Sequence, residues 1–178
     1  MVGFIQSGSG RKWTKVDYPP RITGKNRRER VKMLRGNQPA TVDDKGRVKV
    51  PTSFRAAIRE SYGVEVFLTS LTGENVRIYP LPVWRALEER INQIPAMNPA
   101  RQKLMDRVNY FGHVTTMDKQ GRVLVPPLLR EAAEVTGEVV VMGQMDYLVV
   151  WNHENFRKRI SAEPLTAEDL QSLADLGI

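Results

Sequence analysis

One pattern is written twice in this chain. Thr41-Val42-Asp43-Asp44-Lys45-Gly46-Arg47-Val48-Lys49-Val50-Pro51 is echoed by Thr116-Met117-Asp118-Lys119-Gln120-Gly121-Arg122-Val123-Leu124-Val125-Pro126. Asp, Gly, Arg, both valines and Pro recur with a constant offset of 75 positions. A repeat constrains a fold more than any local signal, because it demands two copies of one structural unit. In each copy, Asp-x-x-Gly suits a tight turn. The Asp carboxylate can accept backbone N–H groups, and Gly supplies a positive φ. The Val-x-Val that follows has the period of a half-buried strand, and Pro stops it.

The echo extends beyond the turns. In the first copy, Thr52 or Ser53 is placed to cap a helix through Tyr62, with Phe54, Ala57, Ile58 and Tyr62 at helical spacing. Val64–Ser70 and Val76–Tyr79 read as strands joined by a turn. Pro82 opens a helix carrying Val83, Trp84, Leu87 and Ile91, and Asn98 caps another that starts at Pro99. The second copy repeats this order. A short helix over Leu128–Val135 precedes strands Val139–Met142 and Tyr147–Trp151, and a helix begins near Asn152. Tyr79 and Trp84 return as Trp151 and Phe156 with the offset reduced to 72, so the second copy is three residues shorter after its first helix. Aromatics at matched positions read as core. Thr166-Ala167-Glu168-Asp169 resembles a capping box ahead of Leu170, Leu173 and Leu176.

This divides the chain into a basic arm (1–32), a first unit with linking helices (33–111), a second unit (112–160) and a tail with a short helix (161–178). The patterned region begins at Met33, which also reads as an alternative translation start. The arm holds nine basic and two acidic residues and so accounts for the whole net charge of +7; the remaining residues balance. Without sustained apolar periodicity, the arm is expected to be mostly disordered. Its charge suits a nucleic acid or another polyanion.

Several function classes find no support. The chain has no cysteine, hence no disulfide framework and no thiolate metal site. No apolar run reaches the ~20 residues of a membrane helix, and no secretory core opens the chain, so a cytoplasmic protein is expected. His113 and His153 are the only histidines and lack ligand spacing. No phosphate-binding loop or nucleophilic triad motif is present. Neither an enzyme, a cofactor nor a small-molecule substrate is expected.

The paired turns, each followed by a valine strand and Pro, resemble those of the MraZ family of bacterial regulators. Met33-Leu34-Arg35-Gly36, Tyr79-Pro80-Leu81-Pro82-Val83-Trp84, Met97-Asn98-Pro99 and Asp146-Tyr147 to Trp151 extend the likeness over residues 33–160. The resemblance implies an α+β, mainly β fold. Its form would be a double-split β-barrel of two swapped-hairpin SpoVT-AbrB-like units in tandem, with flanking helices. It implies a nucleoid-associated, sequence-specific binder of double-stranded DNA that regulates the division and cell-wall gene cluster, its own promoter included. It further implies homo-oligomeric rings of about eight or more subunits acting on short promoter direct repeats. The arm lies outside the resemblance.

The motif has the chemistry for such a role. Arg offers a rigid fork of donors suited to phosphate or to the guanine O6/N7 edge. Arg47 and Arg122 are therefore expected as the main DNA contacts, with Asp43 and Asp118 orienting them. Lys45 and Lys119 add phosphate-directed charge, and Gly46 and Gly121 allow close approach. The plainer alternative is a well-formed hairpin turn bearing a surface ion pair, worth little by itself. Lys49 is expected to face outward, whereas its counterpart Leu124 is expected to pack under a neighbouring helix or subunit. Arg101, Lys103 and Arg107 read as a solvated face or a subunit contact. Because the body is neutral, tight binding should require many turns linked in one assembly. Two other readings remain: a ring-forming structural or interaction protein, and an RNA-binding module served by the arm.

Overall fold

The later strands of each copy are apolar on successive residues rather than alternate ones, which requires cover on both faces. The structure, a computed structural model, describes residues 33–178 and two short segments before them. Those segments, Gly3–Gln6 (β1) and Trp13–Val16 (β2), form an antiparallel pair. The disorder expected of the arm otherwise falls outside the described residues.

From residue 33 onward the first copy supplies β3 (Asn37–Thr41), β4 (Arg47–Lys49), α1 (Thr52–Tyr62), β5 (Glu65–Thr69), β6 (Val76–Pro80), α2 (Leu81–Asn92) and α3 (Pro99–Tyr110). The second supplies β7 (His113–Thr116), β8 (Arg122–Leu124), α4 (Pro127–Ala132), β9 (Glu138–Gln144), β10 (Tyr147–Asn152) and α5 (His153–Ala162), followed by α6 (Ala167–Asp175). The protein is α+β, built on an open antiparallel sheet of order β3-β9-β10-β6-β5-β7.

The two copies are interleaved. β3 pairs with β9 of the second copy, and β7 pairs with β5 of the first. β6 and β10 meet at the centre, so the sheet reads alike from either edge. β4 and β8 form a separate two-stranded ribbon, with Val48 opposite Val123.

Side-chain alternation then sorts the layers. Val66 and Leu68 of β5, Val139 and Val141 of β9, and Leu148 and Val150 of β10 point into one core with Val48, Val123, Phe54, Ile58 and Leu129. The intervening residues face the other way. Phe67 and Tyr79 pack with Trp84 of α2, whereas Val140, Val149 and Trp151 pack with Phe156 of α5. Of the matched aromatics, Tyr79, Trp84 and Trp151 are buried, as expected, and Phe156 is partly buried against Trp151. Tyr79–Trp84 and Trp151–Phe156 even keep the same spacing, with ring centroids 5.3 and 5.4 Å apart.

Most caps follow the sequence. Asn98 accepts from the N–H groups of Ala100 and Arg101, Pro82 lies in the first turn of α2, and Thr166 with Asp169 forms a complete capping box. The cap of α1 differs from expectation. Thr52 already belongs to the helix, and Pro51 precedes it without any side-chain cap. Ser53 Oγ accepts instead from Gln38 Nε2, 2.7 Å away. The copies differ in their first helix: α1 has 11 residues and α4 only 6.

Candidate nucleic-acid interface

Each Asp-x-x-Gly-Arg segment folds through contacts made within itself. Asp43 donates its N–H to the Arg47 carbonyl (3.0 Å), and Gly46 donates to the Asp43 carbonyl (2.8 Å). One carboxylate oxygen, Oδ1, accepts from the Lys45 and Arg47 N–H groups at 3.0 and 2.9 Å. The other, Oδ2, accepts from Arg47 Nε and Nη2, both at 2.7 Å. A single carboxylate thus closes the turn and aims the guanidinium.

The second turn repeats the arrangement. Asp118 Oδ1 accepts from the N–H groups of Gln120 (2.8 Å) and Arg122 (2.9 Å), and Oδ2 accepts from Arg122 Nε (2.7 Å). Gly46 and Gly121 carry φ of +75° and +80°, the left-handed region that favours glycine. Lys45 and Lys119 are exposed beside their arginines.

Electrostatics reinforce the geometry. Asp43 is lowered from 3.8 to about 2, first by the hydrogen bond from the Arg47 side chain and then by that from its backbone. Asp118 is lowered too, chiefly by the backbone N–H of Arg122. Arg47 is raised, foremost by its bond to Asp43, and the charge of Asp118 adds to the effect. Both carboxylates are thereby favoured in the charged form that the contact with arginine requires.

Tertiary structure brings the turns together. In the β4–β8 ribbon Arg47 stands opposite Leu124, and Lys49 opposite Arg122. Val48 and Val123 are buried between them, so the four residues share the outer face. Arg47 and Arg122 are diagonal neighbours there, a relation that places residues about 7–8 Å apart. Both retain access to solvent, at 28% and 27% side-chain exposure. Leu124 does not pack under a helix of this chain; it is 45% exposed on that face. The alternation that buries Val123 and Val125 forces it outward.

The copies also brace each other. Val50 donates its N–H to the Gly121 carbonyl (2.9 Å), and Val125 donates to the Gly46 carbonyl (3.0 Å). Arg55 of α1 reaches the second turn, donating from Nη1 to the Gln120 carbonyl (2.8 Å). Arg130 of α4, its counterpart 75 positions later, lies against Gly46. Sequence reasoning missed both arginines. Their identical offset was the available signal, obscured because neither belongs to the turn it covers. Elsewhere, Arg101 is occupied with the Ile94 carbonyl and Asn92 Oδ1. His113 and His153 are exposed at the starts of β7 and α5.

Two interleaved repeats that present paired, carboxylate-anchored arginines on one ribbon face define a pseudo-symmetric α+β protein with a duplicated cationic surface. A family model described as "MraZ protein, putative antitoxin-like" matches residues 33–107 and 112–173, one stretch for each copy. The chain is 52% identical over 146 residues to the transcriptional regulator MraZ of Acidobacterium capsulatum, covering 82% of this chain and all of that protein. It is 49% identical over 147 residues to the namesake in Koribacter versatilis, with the same coverage. The Escherichia coli protein of that name is 32% identical over 154 residues. The chain belongs to the MraZ family.

Proposed function

We propose that this protein is a transcriptional regulator that binds double-stranded DNA through the outer face of the β4–β8 ribbon. The observation that carries the reading is the diagonal placement of Arg47 and Arg122, each gripped by its own Asp. A two-stranded ribbon is one of the elements that a major groove about 12 Å wide admits, and a guanidinium fork suits both guanine edges and phosphates. The relatives' name, transcriptional regulator, agrees with this role.

The finer features are part of the same proposal. The units at 33–111 and 112–160 form a double-split barrel of swapped hairpins. Subunits assemble into rings, each ring displays many ribbon faces, and those faces engage direct repeats in promoter DNA, including the protein's own, within the nucleoid. Charge supports the need for assembly. The body carrying the ribbon is neutral overall, so one subunit neutralises few phosphates. Linked copies would gain affinity through effective concentration.

The test is a mobility-shift assay on DNA upstream of the coding sequence. Arg47→Ala combined with Arg122→Ala should abolish the specific complex while light scattering shows an unchanged assembly. Normal binding by that double variant would refute the site. Normal binding by an enforced monomer would refute the need for assembly.

A further inference from the structure

The two turns are alike within themselves but are held differently from outside. The Asp118 carbonyl accepts the Gly121 N–H and also Arg59 Nη2, which reaches it from α1. Together with the Arg55 bond to the Gln120 carbonyl, the second turn is fastened by two guanidinium groups at adjacent points. The first turn has only the first of these two positions filled by arginine, at Arg130. The residue matching Arg59 at the 75-position offset is Glu134. It cannot perform the same task, since α4 ends at Ala132 and Glu134 has left the helix with φ of +51°. Its carboxylate accepts from Asn155 Nδ2 and its carbonyl from Asn152 Nδ2, which turns it toward α5. The extra length of α1 is what carries Arg59 to the opposite copy's turn.

We propose that Arg59 is a positioning residue that presets the Arg122 turn and makes the two DNA contacts unequal. Arg122 enters the complex on the more tightly preset turn, whereas the Arg47 turn, closed by its own bonds but lacking that second clamp, keeps more motion to lose on binding. A preset contact loses less conformational entropy when its ligand arrives. Asp118 then has its carboxylate committed to orienting Arg122 and its carbonyl committed to the scaffold. The proposal rests on the ribbon being the DNA interface, but its structural half can be tested without DNA.

Arg59→Met in the full chain should accelerate amide hydrogen exchange at Gln120, Gly121 and Arg122 by about three- to ten-fold and leave Lys45, Gly46 and Arg47 unchanged. Equal acceleration at both turns, or none at either, would overturn the clamp. DNA binding to the upstream duplex is then read as a double-mutant cycle. Arg59→Met should weaken binding about three- to ten-fold in the wild-type and Arg47→Ala backgrounds and have almost no effect in Arg122→Ala. The same loss in all three backgrounds would overturn the proposal, because Arg59 would then be touching DNA by itself. Absence of any binding by the wild-type protein would instead refute the DNA reading, with the exchange result still deciding the clamp.

Discussion

Arg130, in the helix of the second copy, lies so close over Gly46 in the turn of the first that a Cβ built on the glycine would stand 1.6 Å from Nη1. Gly121 is covered in the same way by Arg55, whose Cδ would be 2.3 Å from an added Cβ. Each turn is therefore roofed by the other copy.

Alanine at either glycine should destabilise the fold by about 1–3 kcal/mol, the usual cost of forcing a side chain into a left-handed backbone. Gly121→Ala should be the more costly. Its neighbour is a methylene partway along Arg55, whereas Gly46 meets the mobile end of Arg130. Thermal or urea unfolding of the two variants checks the ranking. A destabilisation larger at Gly46 would contradict it.

Arg47→Lys keeps the charge but loses the Nε and Nη2 attachment to Asp43. Specific DNA affinity should fall about ten-fold or more, while sequence-independent binding and its salt slope barely change. Parallel titrations on upstream and scrambled duplexes make the distinction. Unchanged affinity on both duplexes would mean that Arg47 serves only as a charge.

The depressed Asp43 carboxyl sets a direction for acid sensitivity. A group whose folded pKa is below its unfolded value contributes stability above the unfolded value and loses it as pH falls through the folded one. For Asp43 that window runs from 3.8 down to about 2. Asp118 shifts in the same direction. The stability difference between wild type and Asp43→Asn should be flat above a pH of about 5 and shrink through this window. Melting curves across the range test it; a difference that persists unchanged at the acid end would rule it out.

Gly143 tests the edge of the sheet. A Cβ there would meet the Leu34 carbonyl carbon at 2.4 Å and the Arg35 nitrogen at 2.5 Å, backbone atoms that cannot swing aside. Gly143 also donates its N–H to the Gly36 carbonyl (2.9 Å). Gly143→Ala should displace residues 34–36 and expose Leu34, which is buried in the main core. The loss should be about 1.5–3 kcal/mol from that side chain alone. Faster proteolysis near residue 35 and a lower denaturation midpoint are the expected readings.

Much of the site was legible because it is local. Asp43 reaches Arg47 four residues away, and one turn of Asp, Gly and Arg closes itself wherever the rest of the chain goes. The period-two strands after the turns and the caps at Asn98 and Thr166 are equally short-range, and the duplication with its matched aromatics is visible by comparing residue order alone. Leu124 marks the limit. Alternation determined that it shares a face with Arg122, but what covers that face depends on the whole fold.

Sequence by itself therefore determined two carboxylate-anchored arginine turns on two copies of one α+β unit. Tertiary structure decided that the copies exchange strands, that β4 lies against β8, and that Arg47 and Arg122 end as diagonal neighbours. It also decided that Arg55, Arg59 and Arg130 brace turns in the copy to which they do not belong. The physical reason is range: in the ribbon alone, backbone pairing between the copies joins Val48 to Val123, 75 positions apart, and no local spacing encodes which strand edge will be free to accept which partner.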